Sequence, residues 1–294
     1  MQKITVEQFN SSMGYIKNIR RMIMKKLVEK KRKLGQSLAE FPRNVHSIHL
    51  VAKQMGVKGV CQAIFSDLFL GRTRWQWVYL LVLSSIPIVL HFWSGSQDWM
   101  GLFTAWTGNL CVILVAEGRA TNYLFGFLSN LVYFTLSFQN MFYGEVMTAI
   151  FFLLMQPVGL YLWLLARVNG EEEKEVSAGF ETKKLSLWGW CKWLAFAVLV
   201  WGSFGLVYQS VGAARPFRDS ITDGTNWTGQ FLQSYLYREQ WFFWIATNLF
   251  SIYLWWVGPD SGNLQIATMY FVWTINSIVG WYQWTKAVKQ EGAA

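Results

Sequence analysis

Seven stretches of the chain are almost wholly apolar: Trp75–Trp93, Trp99–Ala116, Tyr123–Phe138, Gly144–Ala166, Trp188–Val211, Gln240–Val257 and Leu264–Trp284. Each approaches the length a helix needs to cross about 30 Å of hydrocarbon, several at the lower limit. An eighth stretch, Asp219–Tyr237, mixes Asn226, Gln230 and Gln233 with Trp227, Phe231 and Tyr235. It is too polar for a lipid-facing span and aromatic enough to sit inside a bundle. The pattern predicts an all-α integral membrane protein.

Internal repetition puts the eighth span in place. Trp106-Thr107-Gly108 and Trp227-Thr228-Gly229 are each followed by Gly-x-x-x-Trp, at Gly159 to Trp163 and Gly280 to Trp284, with 57 residues from first to last Trp in both copies. Between them lie Ser129-Asn130-Leu131 and Thr247-Asn248-Leu249. If the copy starting at Trp106 begins inside a span, so does the copy starting at Trp227. Charge agrees: with eight spans and the N-terminus inside, Arg119, the linker Arg167–Lys184, Arg238, Lys286 and Lys289 are cytoplasmic, and only Arg215 and Arg218 fall outside. The organisation expected is a basic cytoplasmic arm with an amphipathic helix (1–74), an extra N-terminal transmembrane helix (75–98) and a first three-helix unit (99–166). An acidic cytoplasmic loop and linking helix (167–211), a second three-helix unit (212–285) and a cytoplasmic tail (286–294) follow. An odd number of helices per unit plus one link leaves the two units parallel, a 3+1+3 arrangement, with any site at the repeat interface.

Composition supports membrane residence: 53% of the 294 residues are hydrophobic and 15% charged, against roughly 25% charged in soluble domains. Residues 1–74 hold most of the excess positive charge, and 11–34 interleave Met13, Ile16, Ile19, Ile23 and Leu27 with Lys and Arg, a pattern suited to an anionic leaflet. A basic arm before the first span accounts for this charge without nucleic acid. No cleavable signal peptide is visible, so the N-terminus is expected in the cytoplasm. Cys61, Cys111 and Cys191 are scattered, and His46-x-x-His49 has no Cys, Asp or Glu close by, so no metal or cofactor is expected.

The spans lack the Ser-His-Asp order, His-Glu-x-x-His and phosphate loop of enzymes. Glu117, Glu145 and Glu239 fall at span ends, and Asp219 and Asp223 at the entrance of the polar helix, which argues against proton coupling and for facilitated diffusion. What the spans do carry is amides and indoles. Trp241, Trp244 and Asn248 share one helix face, Gln156 precedes the helix-loosening Pro157, and Asn109, Asn130, Gln230, Gln233 and Asn276 lie at membrane depth. Such amides either cross-link helices or bind substrate. Trp75, Trp93, Trp99, Trp188 and Trp256 stand at span ends as an interfacial belt. Amides with flat aromatic walls suit an uncharged or singly cationic ring compound bearing hydroxyls and an amide; a phosphorylated one would want buried Arg or Lys.

Leu110-Cys111-Val112 through Ala116, Gly118, Asn122-Tyr123-Leu124-Phe125-Gly126, Tyr143-Gly144-Glu145, Gln156 and Gly159-x-x-x-Trp163 resemble the first half of PnuC-type nicotinamide riboside transporters. Tyr237-Arg238-Glu239-Gln240-Trp241-Phe242-Phe243-Trp244, followed by Asn248, resembles the signature of their sixth core helix. The resemblance covers about residues 99–285. It implies a core like a SWEET sugar transporter, a homotrimer in a bacterial inner membrane, and passive uptake of nicotinamide riboside trapped by phosphorylation inside. Relatives carry thiamin or riboflavin. By that analogy Gln156, Trp241, Trp244 and Asn248 are the substrate contacts, to which the amides Asn109 and Asn276 are added. The arm and helix before residue 99 depart from the family pattern. A SWEET-like sugar carrier and a membrane scaffold or sensor that recruits a partner through the basic arm are the competing readings.

Overall fold

The computed structural model describes residues 53, 56–139, 143–171, 182–212, 216–257 and 264–291. The segment 11–34, the His46 and His49 pair and most of the acidic linker lie outside the described residues. The chain divides into Met1–Cys61 and Gln62–Ala294. In the first, 56–61 are helical; the second holds everything that follows.

Helix α1 (62–69) is followed by α2 (Arg74–Trp93), α3 (Trp99–Ala116), α4 (Asn122–Gln139), α5 (Tyr143–Glu171) and α6 (Leu187–Ser210). Then come the short α7 (Pro216–Asp219), α8 (Ile221–Ser234), α9 (Gln240–Val257) and α10 (Leu264–Glu291). Polar caps set several starts: Asp98 accepts from the Gly101 N–H at 2.7 Å, Ser186 from Gly189, and Thr73 and Gln76 form a reciprocal capping box. The predicted spans at 99–116 and 240–257 coincide with α3 and α9, while α5 and α10 run past their apolar segments to Glu171 and Glu291. Pro157 does not interrupt α5.

Helix α8 covers most of the polar stretch 219–237 in 14 residues, about 21 Å at 1.5 Å per residue. It packs against α5, α6 and α9. A Cβ on Gly224 would lie 2.6 Å from the Ala197 carbonyl of α6, so the two backbones nearly touch. With neighbours on these sides, α8 buries Asp223, Thr228, Gln230 and Gln233 and has little need of lipid-soluble residues. By length and composition alone α2, α3, Glu145–Leu164 of α5, and α6 qualify as spans among the described residues.

Helices α3, α4 and α5 pack in sequence, as do α8, α9 and α10, and the two triplets meet through α3 with α10 and α5 with α8. Helix α2 lies across α3 and α10, and α6 against α8. Both turn apolar side chains outward, among them Val78, Leu81, Val89 and Phe92 on α2 and Leu194, Val198, Leu199 and Leu206 on α6. So large an apolar exterior is unfavourable in water and natural in lipid.

The repeated Gly-x-x-x-Trp motifs stitch the triplets together. Gly159 leaves room for the Tyr123 ring and Gly280 for the Trp241 ring: a Cβ would come within 2.2 Å and 2.4 Å of them. Tyr123 then meets Trp163 edge-on at 5.3 Å, and Trp241 meets Trp284 edge-on at 6.0 Å. Each terminal Trp donates across to the first helix of the opposite triplet, Trp163 Nε1 to the Gln233 carbonyl at 2.9 Å and Trp284 Nε1 to the Val115 carbonyl at 3.3 Å. These residues with Ala116, Ala120 and Leu236 form the main core. Equivalent turns precede α4 and α9, with Gly118 at φ 70° and Leu236 at φ 62°; Leu236 adopts a conformation costly for a side chain while filling that core.

The residues just before α2 are tied to the α3–α4 turn. Asp67 accepts from the Thr121 N–H and hydroxyl at 2.9 and 2.7 Å. Glu117 pairs with Arg72 and Arg119, each at 2.8 Å, and the Arg72 and Glu117 side chains are almost wholly buried. Burial and the Arg72 charge push the Arg119 guanidinium below its ordinary value, opposed by Glu117 and Asp67.

Candidate substrate cavity

A cavity opens between the two triplets, lined from all six of their helices and by no residue of α2 or α6. Helix α3 supplies Thr104, Gly108, Cys111, Val112 and Val115; α4 Gly126, Ser129, Asn130 and Tyr133; α5 Glu145, Thr148, Phe152 and Gln156. From the other triplet come Asn226, Gln230 and Gln233 of α8, Trp241, Trp244, Thr247 and Asn248 of α9, and Met269, Tyr270, Trp273 and Ser277 of α10. The lining thus draws nearly evenly on both copies. Among the described residues it contains no Lys, Arg or His.

The polar groups are arranged in two ways. Some hold the wall: Ser129 donates to the Thr104 carbonyl at 3.0 Å, Asn130 to the Gly126 carbonyl at 2.7 Å, Thr247 to the Thr225 hydroxyl at 2.7 Å, and Asn248 to the Ser277 hydroxyl at 3.3 Å. Others are buried with polar atoms lacking any protein partner, namely Gln156 Oε1, Gln230 Nε2 and Trp241 Nε1. A buried polar atom left unpaired costs about 1–3 kcal/mol. All three atoms belong to residues that line the cavity.

Glycines set the shape of the wall. A Cβ on Gly126 would stand 2.8 to 2.9 Å from the three end atoms of the Gln156 amide, so the missing side chain is the seat of that amide. Gly229 likewise brings α8 against the face of Trp244, and Gly108 admits the edge of Trp273. Trp244 faces Phe152 at 6.2 Å, an aromatic pair across the two triplets.

Residues 98–286 match the nicotinamide mononucleotide transporter family. The nicotinamide riboside transporter PnuC of Neisseria mucosa is 33% identical over 230 residues, 76% of this chain and 86% of that protein. Its counterpart in Haemophilus influenzae is 30% identical over 214 residues, 71% and 91% of the two chains. A crystal structure of the vitamin B3 transporter PnuC superimposes with a TM-score of 0.66 at 30% identity, covering 76% of this chain and 96% of the other. The chain belongs to the PnuC family. It is a multi-pass membrane protein of a transporter family, not of an enzyme family.

Of the residues singled out from the PnuC resemblance, Gln156, Trp241, Trp244 and Asn248 come together on the cavity wall. Asn109 and Asn276 are not among the lining residues described; both amides bond α2 and α10 to α3. Asn109 Nδ2 donates to the Leu83 carbonyl at 3.1 Å and its Oδ1 accepts from Trp273 Nε1 at 2.8 Å. Asn276 Nδ2 donates to the Val112 carbonyl at 2.7 Å and its Oδ1 accepts from the Tyr79 hydroxyl at 3.1 Å. The repeat places these amides at membrane depth but does not choose their helix face, because the α2 groups they meet lie outside both repeated units.

Two acidic residues belong to the interior of the bundle. Glu145, read as a span end, lines the cavity and accepts from the Tyr133 hydroxyl at 2.7 Å. Asp223, read as the entrance of a polar helix, is 3% exposed and accepts from Thr148 and Tyr208, each at 2.8 Å. Gln230 was legible only as one more intramembrane amide, and its unpaired donor is what raises it to a candidate contact in this PnuC member.

Proposed function

We propose that this protein carries nicotinamide riboside across the bacterial inner membrane. The observation that carries the reading is the pairing of unmatched neutral groups, Gln156 Oε1 with Gln230 Nε2 and Trp241 Nε1, on a wall without a basic residue. A carboxamide needs an acceptor for its N–H₂ and donors for its carbonyl, and ribose hydroxyls accept and donate in turn. The face of Trp244 suits the flat cationic ring. Among the described lining residues there is no Lys or Arg, which favours the riboside over its phosphorylated mononucleotide, since that would call for cationic clamps.

The architecture we infer is two parallel three-helix units, 99–166 and 212–285, joined by the linking helix within 167–211 in a 3+1+3 order. The helix at 75–98 is added outside them, the arm 1–74 and tail 286–294 are cytoplasmic, and the protein is a homotrimer. Both triplets contributing to one cavity supports alternating access by relative movement of the units. Uptake then proceeds by facilitated diffusion, drawn inward by phosphorylation of the product. The cavity position of Glu145 makes the uncoupled mode worth testing directly.

Purified protein in liposomes should take up nicotinamide riboside down its gradient, to equal concentration inside and out. Accumulation above that level under an imposed pH gradient, with the membrane potential held at zero, would refute the uncoupled mode. Stabilisation by hexoses and not by the riboside would refute the substrate.

A further inference from the structure

The cavity is longer than the group of unpaired amides explains. Its α5 wall runs through Glu145, Thr148, Phe152 and Gln156 at helical spacing, so Glu145 lies about 16 Å along the axis from Gln156. That exceeds the reach of one bound riboside contacting both. At the Glu145 end stand Tyr133, whose hydroxyl donates to the carboxylate, and Tyr270, edge-on to Trp273 at 5.4 Å. Among the described lining residues Glu145 is the one carboxylate and none is a Lys, Arg or His, and Asp223 sits directly behind Thr148, one turn along α5.

We propose that Glu145, Tyr133 and Tyr270 form a second, approach subsite that selects for a positively charged aromatic ring before it reaches Gln156 and Trp244. This rests on the nicotinamide riboside reading. A carboxylate beside aromatic rings in a dehydrated channel attracts an organic cation through charge and ring quadrupole together, and repels a phosphate or carboxylate. The Tyr133 hydroxyl keeps the carboxylate aimed along the wall, as a positioning residue. In the proposed orientation this end faces outward, so the filter acts on arrival.

The test compares nicotinamide riboside with its 1,4-dihydro form, the same riboside with an uncharged ring. Initial uptake into liposomes is measured below saturation for both, with wild type, Glu145→Gln and Tyr133→Phe, each checked for fold by thermal unfolding. Wild type should favour the cation. Glu145→Gln should lower the cation-to-neutral ratio about tenfold, and Tyr133→Phe should lower it less. An unchanged ratio in Glu145→Gln, or a wild type indifferent to ring charge, overturns the subsite, and the second comparison needs no variant to fold. A wild type that transports neither compound would instead overturn the functional reading.

Discussion

Gly126→Ala is the sharpest perturbation of the inner site because it acts on Gln156 without touching it. The added Cβ would lie 2.8 to 2.9 Å from all three end atoms of the amide, so the amide must move by several tenths of an ångström or more to regain ordinary contact. It can: the obstacle is the end of a flexible side chain, and Gln156 Oε1 has no protein partner to lose. Alanine in a helix gains about 0.5–1 kcal/mol over glycine, while crowding a packed wall costs about 1–3 kcal/mol. The net stability change should stay within about 2 kcal/mol. Binding should suffer more visibly, since a displaced amide forfeits a hydrogen bond of about 0.5–1.5 kcal/mol, up to about tenfold in Kd. Titration calorimetry with nicotinamide riboside on the detergent-purified protein reads this, beside a thermal melt. Because both changes act through one amide, Gly126→Ala on a Gln156→Ala background should add almost nothing. Additive losses, or an unchanged Kd in a folded single variant, would refute the placement of Gln156 in the site.

Gly280→Ala should behave oppositely, because its Cβ would fall 2.4 Å from the Trp241 ring, which is buried against Trp284; a ring so held cannot yield, and a loss of about 2–3 kcal/mol is expected in unfolding. Asn276→Leu should lower stability by about 1–3 kcal/mol through the lost bond to the Val112 carbonyl and the stranded Tyr79 hydroxyl, leaving the Kd for the riboside within twofold or so; a large affinity loss would make Asn276 a substrate contact. Glu117→Gln should cost about 3–5 kcal/mol by leaving Arg72 buried without its carboxylate, measured by thermal unfolding, with surviving protein still binding substrate.

Much of the scaffold was legible because its signals are local. The Trp-Thr-Gly and Gly-x-x-x-Trp copies announced the duplication, and the structure shows why those residues recur: Thr107 and Thr228 each donate back to the carbonyl four residues earlier, while each glycine seats a ring and each terminal Trp bonds across the triplets. Hydropathy could not see α8, since burial by protein rather than lipid removes the need for apolar residues; the repeat could. The face each amide takes was not legible. Asn109 and Gln230 occupy matching places in the two copies, yet Asn109 is spent on Leu83 and Trp273 while Gln230 keeps an unpaired donor at the cavity. The difference comes from what packs against each helix, which lies elsewhere in the chain.

That divergence locates where a duplicated frame becomes a selective one. Gly126 and Trp244 stand at corresponding positions, four residues before Asn130 and Asn248 and three beyond Tyr123 and Trp241. In the first copy the glycine opens a seat that the Gln156 amide fills; in the second an indole fills the space itself and rests on Gly229. Opposite Gln156, the corresponding residue of α10 is Ser277, already engaged by Asn248. One side of the cavity therefore offers a free amide and the other a flat aromatic face, and a ligand with one polar and one ring surface has a single preferred way to lie between them. A strictly symmetric lining would bind such a ligand equally in two orientations, so the asymmetry at these positions is what gives the carrier a defined pose.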